Sequence, residues 1–251
     1  MQPLTRDNIR LAATVVLLRQ RRTGPEVFMM QRPGGGDFPD LHVFPGGKLD
    51  AADVLDPYVS GCSDATANRL LGLSGGGLRY WVAAIRECFE ECGVLLARRH
   101  GAFVRLTQGA EMERFAGYRQ QLIDGDLSMA ELCERERIVL AADCLLYHSH
   151  WITPEMAPRR FDTRFFVARM PAQQATAAHA TETADAHWVS PKSALAAHSN
   201  GDWRMIAPTL ITLQTLAGHD RVDAIWEAVH GERHLPELTD ELRHQGMHPL
   251  R

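Results

Sequence analysis

The chain has 251 residues, of which 45% are apolar and 23% charged, the usage expected of a soluble globular protein with one large domain or one domain and an extension. Its formal charge of −4 lacks the basic footprint of a protein that binds a nucleic-acid polymer, so any nucleotide ligand is expected to be small. Five cysteines without a CxxC pair leave one unmatched, which favours a reducing cytoplasm over a disulfide framework.

In chain order, "LAATVVLL" (Leu11 to Leu18) is too short to span a bilayer. "RQRR" follows it where a signal peptide would need small residues, so the run is read as a buried strand. A Gly-Pro turn and a second strand, "VFMMQRP", come next, and the loop "GGGDFPDLH" leads into "VFPGG". From Ala51 to Gly77 the periodicity fades, which predicts an insertion with a short helix at "ATANRLLGL". "LRYWVAAIRECFEEC" then reads as a helix stopped by Gly93. Residues 111–136 are helical in pattern, and "IVLAADCLLYHSHWITP" and "TRFFVARMP" read as two strands. "HSH" (His148 to His150) is taken as a strand end near the surface rather than a metal site. A polar loop precedes the short strand "AHWVS" and a helix opening at "SPKSALAAH", and Trp203 to His230 has helical spacing. The closing "HPLR" is no recognisable address. Strands mixed with helices, without a regular βαβ rhythm, predict an α/β sandwich around a mixed sheet.

Chemistry is concentrated in two stretches. Glu87, Glu90 and Glu91 stand at i, i+3 and i+4 and fall within roughly 100° of arc on one helix face. Ile85, Phe89 and Cys92 form the neighbouring apolar stripe; Cys88 and Cys92 are expected to be buried and not catalytic. Three crowded carboxylates repel and suit a hard divalent cation, although a solvated acidic face with Arg86 paired to Glu90 would also explain them. In "VFPGGK", Pro45 sets a turn, and Gly46 and Gly47 allow backbone N–H groups to approach a phosphate. A double glycine alone also fits any tight turn.

Taken together, these segments resemble the Nudix box, G-x5-E-x7-R-E-U-x-E-E-x-G-U with U a bulky apolar residue. Gly47 matches the opening glycine, and Arg86, Glu87, Glu90, Glu91, Gly93 and Val94 match the second half. Cys88 stands where a larger apolar residue is usual. The pattern has fourteen steps from glycine to arginine, whereas Gly47 to Arg86 takes thirty-nine, an excess of twenty-five. The first-half glutamate therefore has no position-matched counterpart, and Asp50 and Asp53 are both candidates. An insertion at this point, "HVFPGG.LDAAD" and "WITP…RRFDTRFF" resemble the peroxisomal coenzyme A diphosphatase-like subgroup over roughly residues 10–200. A loop bulging outward between the two halves adds only modest closure entropy.

The resemblance implies a Nudix-type α/β/α sandwich over residues 1–200, with an insertion at about 51–78 and a helical C-terminal extension over 201–251 packed on the same domain. It implies Mg²⁺ or Mn²⁺ held by Glu87, Glu90, Glu91 and Gly47, Arg86 orienting a glutamate, and a bound water attacking one phosphorus of a diphosphate in line. A further acid before the tryptophan strand is expected to be Glu182, with Asp185 as the alternative. The expected small-molecule substrate is coenzyme A or acyl-CoA, or otherwise ADP-ribose or a nucleotide sugar; Gly46, Gly47, Arg32, Arg160 and Arg164 are candidate phosphate contacts. A Nudix-fold binding or regulatory module without catalysis is the reading from another class. No membrane is expected as a partner, and the tail is open to core packing or to a homodimer interface.

Overall fold

A computed structural model describes residues 5–6, 9–32, 40–157, 159–177, 185–231 and 247–248. The apolar, β-branched run becomes strand Ile9–Arg21 in the interior of a mixed sheet. It pairs in parallel with Phe161–Arg169 and antiparallel with both Gly24–Gln31 and Gly46–Lys48. Asp185–Val189 lies beyond Gly24–Gln31, and Leu145–Ile152 and Met247–His248 lie beyond Phe161–Arg169. Alternate residues of the central strand feed two cores: Ala13, Val15 and Leu17 face one, Val16 and Leu18 the other. A strand covered on both faces needs a nearly continuous apolar run, which is why no polar alternation is visible in this stretch.

Helix α1 (Asp64–Leu71), α2 (Leu78–Cys92), α3 (Gly109–Asp124) and α4 (Met129–Glu136) contribute to the first core. Helices α5 (Pro191–Ser199), α6 (Ala207–Ala217) and α7 (Val222–Gly231) cover the other face, where Ala194, Leu213, Leu216, Val222 and Ile225 are buried. The α/β/α sandwich expected from the sequence is present. The helical span predicted for Trp203 to His230 is divided into α6 and α7 around Gly218. Among the described residues, no helix is long and apolar enough to cross a membrane.

Helix α2 crosses the sheet obliquely. Its first turn stands over Phe161–Arg169: the Trp81 ring meets Phe166 edge-on at 4.7 Å, and its Nε1 donates to the Leu145 carbonyl at 3.3 Å. Further along, Glu87 and Glu91 reach Gly47 and Gly46 on the opposite side of the central strand.

The insertion does not simply bulge outward. Leu55, Ala67 and Leu71 are buried in the first core, and Val59–Ser60 pairs in parallel with Val139–Ala141 in a second small sheet. It also closes the start of α2, whose own N-cap, Gly77, has no side chain to offer. Asp64 accepts from the Leu78 N–H at 3.0 Å and the Gly76 N–H at 3.3 Å, while Asn68 Oδ1 accepts from the Gly77 N–H at 2.7 Å. The Leu78 N–H bond leads in holding the Asp64 carboxyl below its ordinary pKa. A carboxylate at a helix N-terminus satisfies orphan donors and opposes the helix dipole favourably. Asp64→Ala is expected to lower stability by about 1 kcal/mol in urea unfolding.

His148 to His150 are not at a surface strand end. All three lie buried inside Leu145–Ile152, where a register shift between Tyr147 and Ser149 leaves His148 without a cross-strand partner. His150 Nε2 lies 2.7 Å from Asp162 Oδ1. Burial pushes the His148 pKa from 6.5 down to about 4, so this imidazole is neutral in the fold. The unfolded chain takes up the proton first, so stability falls as pH drops from about 6.5 towards 4 and is unaffected by this group at higher pH. The limiting loss is about 3 kcal/mol at 1.36 kcal/mol per pKa unit. The test is denaturant unfolding across this window, in which His148→Gln should flatten the acid limb.

Candidate active site

The turn and the acidic helix meet through two glycines, at the first of which the backbone leaves no room for a side chain. A Cβ on Gly46 would stand 2.5 Å from the Ala13 carbonyl oxygen and 2.7 Å from the Thr14 Cα. A Cβ on Gly47 would stand 2.5 Å from the carboxyl carbon of Glu87. The Gly46 contacts are with backbone, so the strand closes there only without a side chain, while a side chain at Gly47 would displace the Glu87 carboxylate. The Gly46 N–H donates to Glu91 Oε2 at 2.6 Å, tying the turn to the end of the helix.

Arg86 occupies the centre. Its guanidinium is buried and donates from Nε to Asp53 Oδ1 at 2.9 Å and from Nη2 to Asp53 Oδ2 at 3.1 Å. Nη2 also reaches the Lys48 carbonyl at 2.8 Å, while Nη1 meets Glu87 at 2.7 Å and Glu90 at 3.4 Å. Burial by itself would lower the Arg86 pKa, but Glu87, Asp53 and Glu90 outweigh it and hold it well above the usual arginine value. The planar fork suits this bidentate contact, which an ammonium could not reproduce.

Between the two candidate aspartates, the geometry selects Asp53 as the partner of Arg86. Asp50 instead builds the turn that presents it: Asp50 Oδ1 accepts from the Ala52 N–H at 2.8 Å, and the Asp50 N–H donates to Asp53 Oδ2 at 2.7 Å. Asp53→Asn breaks the bidentate pair while Glu87 and Glu90 still face Arg86, so the loss of a buried charge-assisted hydrogen bond is expected to cost about 2 kcal/mol. Asp50→Ala removes the acceptor of the Ala52 N–H and should cost about 1 kcal/mol. Chemical denaturation of the two variants checks the order.

The structure thus brings together Gly46, Gly47, Arg86, Glu87, Glu90 and Glu91, with Asp53 added. Arg32 follows strand Gly24–Gln31, and its N–H donates to the Leu41 carbonyl at 2.9 Å. Arg160 is engaged by Nε with the Thr153 carbonyl at 3.0 Å. Arg164 is buried rather than displayed at the surface. It lies beneath α2, its Nε 3.8 Å from Asp162 Oδ1 and its guanidinium 5.8 Å from the Tyr80 ring centroid, because an inward strand position points it at the core. Glu182 lies outside the described residues, and Asp185 is exposed at the start of the tryptophan strand.

Three carboxylates, Asp53, Glu87 and Glu90, surround one guanidinium, with Glu91 beside them on the Gly46 N–H, and all four are hard oxygen donors of the kind that Mg²⁺ and Mn²⁺ prefer. By chemistry and net charge this set fits a divalent ion. Among the described residues, however, no three His, Cys, Asp or Glu side chains converge as ligands. Glu87 and Glu90 turn towards Arg86, and Glu91 towards the Gly46 N–H, so cation binding requires these carboxylates to be redirected. A separate cleft lined by Arg19, Arg169, Trp188 and Asp223 contains none of the glutamates, and its Arg19 and Arg169 already pair with Glu26 and Asp223.

Residues 63–216, more than half of the chain, match the family profile described as the NUDT19 Nudix domain. The chain is 24% identical to acyl-coenzyme A diphosphatase NUDT19 of Xenopus laevis, over 68% of this chain and 54% of that protein. It is 26% identical to the Homo sapiens protein of the same name, over 68% and 55% respectively. A putative nudix hydrolase 7 from Caenorhabditis elegans is 25% identical over 83% of this chain and 60% of that protein. The chain therefore spans little more than half the length of the curated relatives it matches. A NUDIX hydrolase crystal structure from Alicyclobacillus acidocaldarius superposes with a TM-score of 0.73 at 24% identity, covering 91% of this chain and 98% of that one, which establishes the shared fold.

Proposed function

Given that the chain belongs to the NUDT19 Nudix domain family, we propose that it is a metal-dependent diphosphatase that hydrolyses coenzyme A or an acyl-CoA. The observation that carries the reading is the Arg86 assembly. One buried guanidinium holds Asp53, Glu87 and Glu90 together across an insertion, while Glu91 holds the glycine turn. A purely solvated acidic face has no need of such an assembly. The names of the vertebrate relatives support the acyl-CoA substrate.

Glu87, Glu90, Glu91 and the Gly47 backbone are the groups that would hold Mg²⁺ or Mn²⁺. Bound divalent ions would supply neutralisation of the diphosphate and activation of water. Gly46 and Gly47 leave the turn bare of side chains, so a phosphate can approach its backbone. Arg86 fixes the carboxylates rather than touching substrate, since its donors are already engaged within the assembly. A carboxylate of this group, or Glu182, takes the proton as the water oxygen bonds to phosphorus. The P–O bond to the bridging oxygen breaks, and that oxygen leaves on the second phosphate. The products from coenzyme A are a 3′-phosphorylated adenosine phosphate and phosphopantetheine, acylated when the substrate is an acyl-CoA. Five free thiols, including Cys88 and Cys92 with sulfurs 3.6 Å apart, support a reducing compartment such as the cytoplasm. The reading requires neither a nucleic-acid polymer nor a membrane.

The test is product analysis by liquid chromatography and mass spectrometry with Mg²⁺ or Mn²⁺ and four substrates: coenzyme A, an acyl-CoA, ADP-ribose and a nucleotide sugar. Phosphopantetheine or its acyl form is the expected product. Glu90→Gln and Glu91→Gln should each lower kcat by at least about 100-fold while leaving the fold intact. Turnover of ADP-ribose or the sugar nucleotide alone would overturn the coenzyme A assignment.

A further inference from the structure

Helix α2 ends in the turn that carries Glu90 and Glu91, and the last carbonyls of a helix have no partner within it. Here they find partners outside. The Phe89 carbonyl accepts from the Gly93 N–H at 2.9 Å, and the Cys92 carbonyl from the Ala177 N–H at 2.9 Å. The Glu90 carbonyl accepts from Nε of Arg119, a residue of α3, at 2.9 Å. Arg119 lies on the inward face of α3, one turn after the buried Phe115 and three residues before the buried Leu122, where an apolar side chain would normally sit. Phe115 anchors this face against Phe89 of α2, with ring centroids 6.5 Å apart. The guanidinium is close enough to the helix end that a Cβ on Gly93 would come within 3.3 Å of Nη1.

We propose that Arg119 is a positioning residue for the reaction, holding the Glu90–Glu91 turn of α2 in the register that the site requires. The inference rests on the diphosphatase reading above. Its physical basis is that the carbonyl it holds belongs to Glu90 itself, whose carboxylate is 3.4 Å from Arg86, and that Glu91 in the same turn bonds the glycine loop. A cation at the helix C-terminus also opposes the dipole favourably. Displacing this turn moves two of the three glutamates at once, and a misplacement of order 1 Å can cost about 100-fold in rate.

The experiment uses the full chain as wild type, Arg119→Met, Arg119→Lys and, as a control on the same helix, Arg114→Met. Amide exchange of the peptide covering 86–94, Mn²⁺ affinity by calorimetry without substrate, and kcat and KM on a substrate the wild type cleaves are measured together. In Arg119→Met, exchange should accelerate, Mn²⁺ affinity and kcat should each fall by about tenfold, and KM should stay within about twofold. Arg119→Lys, which keeps a charged donor and guards against a misfolded methionine variant, should recover most of both losses. Arg114→Met should match wild type. Faster exchange with unchanged Mn²⁺ affinity and kcat would reduce Arg119 to a helix cap and overturn the proposal. A raised KM with kcat retained would make it a substrate contact and overturn it equally. A wild type that neither binds Mn²⁺ nor cleaves any substrate sinks the diphosphatase reading itself, and the positioning role with it.

Discussion

Everything at this site depends on one buried guanidinium. Arg86 arrives on a helix that is otherwise packed against the sheet, and it meets a carboxylate, Asp53, from the far end of the glycine loop. A buried charge of this kind is costly unless it is paired and hydrogen-bonded, so the contact demands that the loop return to the helix. The Lys48 carbonyl on the same guanidinium and the Glu91 contact to Gly46 make the return specific at several points. The insertion can therefore lengthen the path between the two halves without loosening their meeting.

The helix is held from outside at both ends. Asp64 and Asn68 of the insertion close its N-terminus, where Gly77 leaves no cap. Arg119 of α3 and the Ala177 N–H close its C-terminus. The charges have the sense a helix dipole favours, acid at the start and base at the end. Because the insertion sends Leu55, Ala67 and Leu71 into the core and Asp64 to the helix, it belongs to the structural support of the acidic helix.

Much of this was legible in the residues. The helix from Leu78 to Cys92 and its stop at Gly93 were readable, because periodicity and capping are local demands. The partner of Arg86 was not, since Asp50 and Asp53 differ only in which way a four-residue turn points them. His148 and His150 misled for a related reason. A polar residue in a strand reads as surface until the covering helix is known, and here the sheet carries layers on both faces.

Sequence alone determined the chemistry available: three carboxylates on one helix arc, an arginine beside them and a double glycine that lets backbone N–H groups approach a ligand. It also determined the class of fold, since strands apolar on both faces must be covered twice. Tertiary structure decided which aspartate completes the arginine, that the insertion folds inward, and that an arginine from another helix holds the glutamate turn. The contacts that complete Arg86 and hold the Glu90 carbonyl join residues 33 and 29 positions apart, and the insertion pairs Val59 with Leu140. Local propensity carries no term for such contacts, and only the closed fold brings the partners within hydrogen-bonding distance.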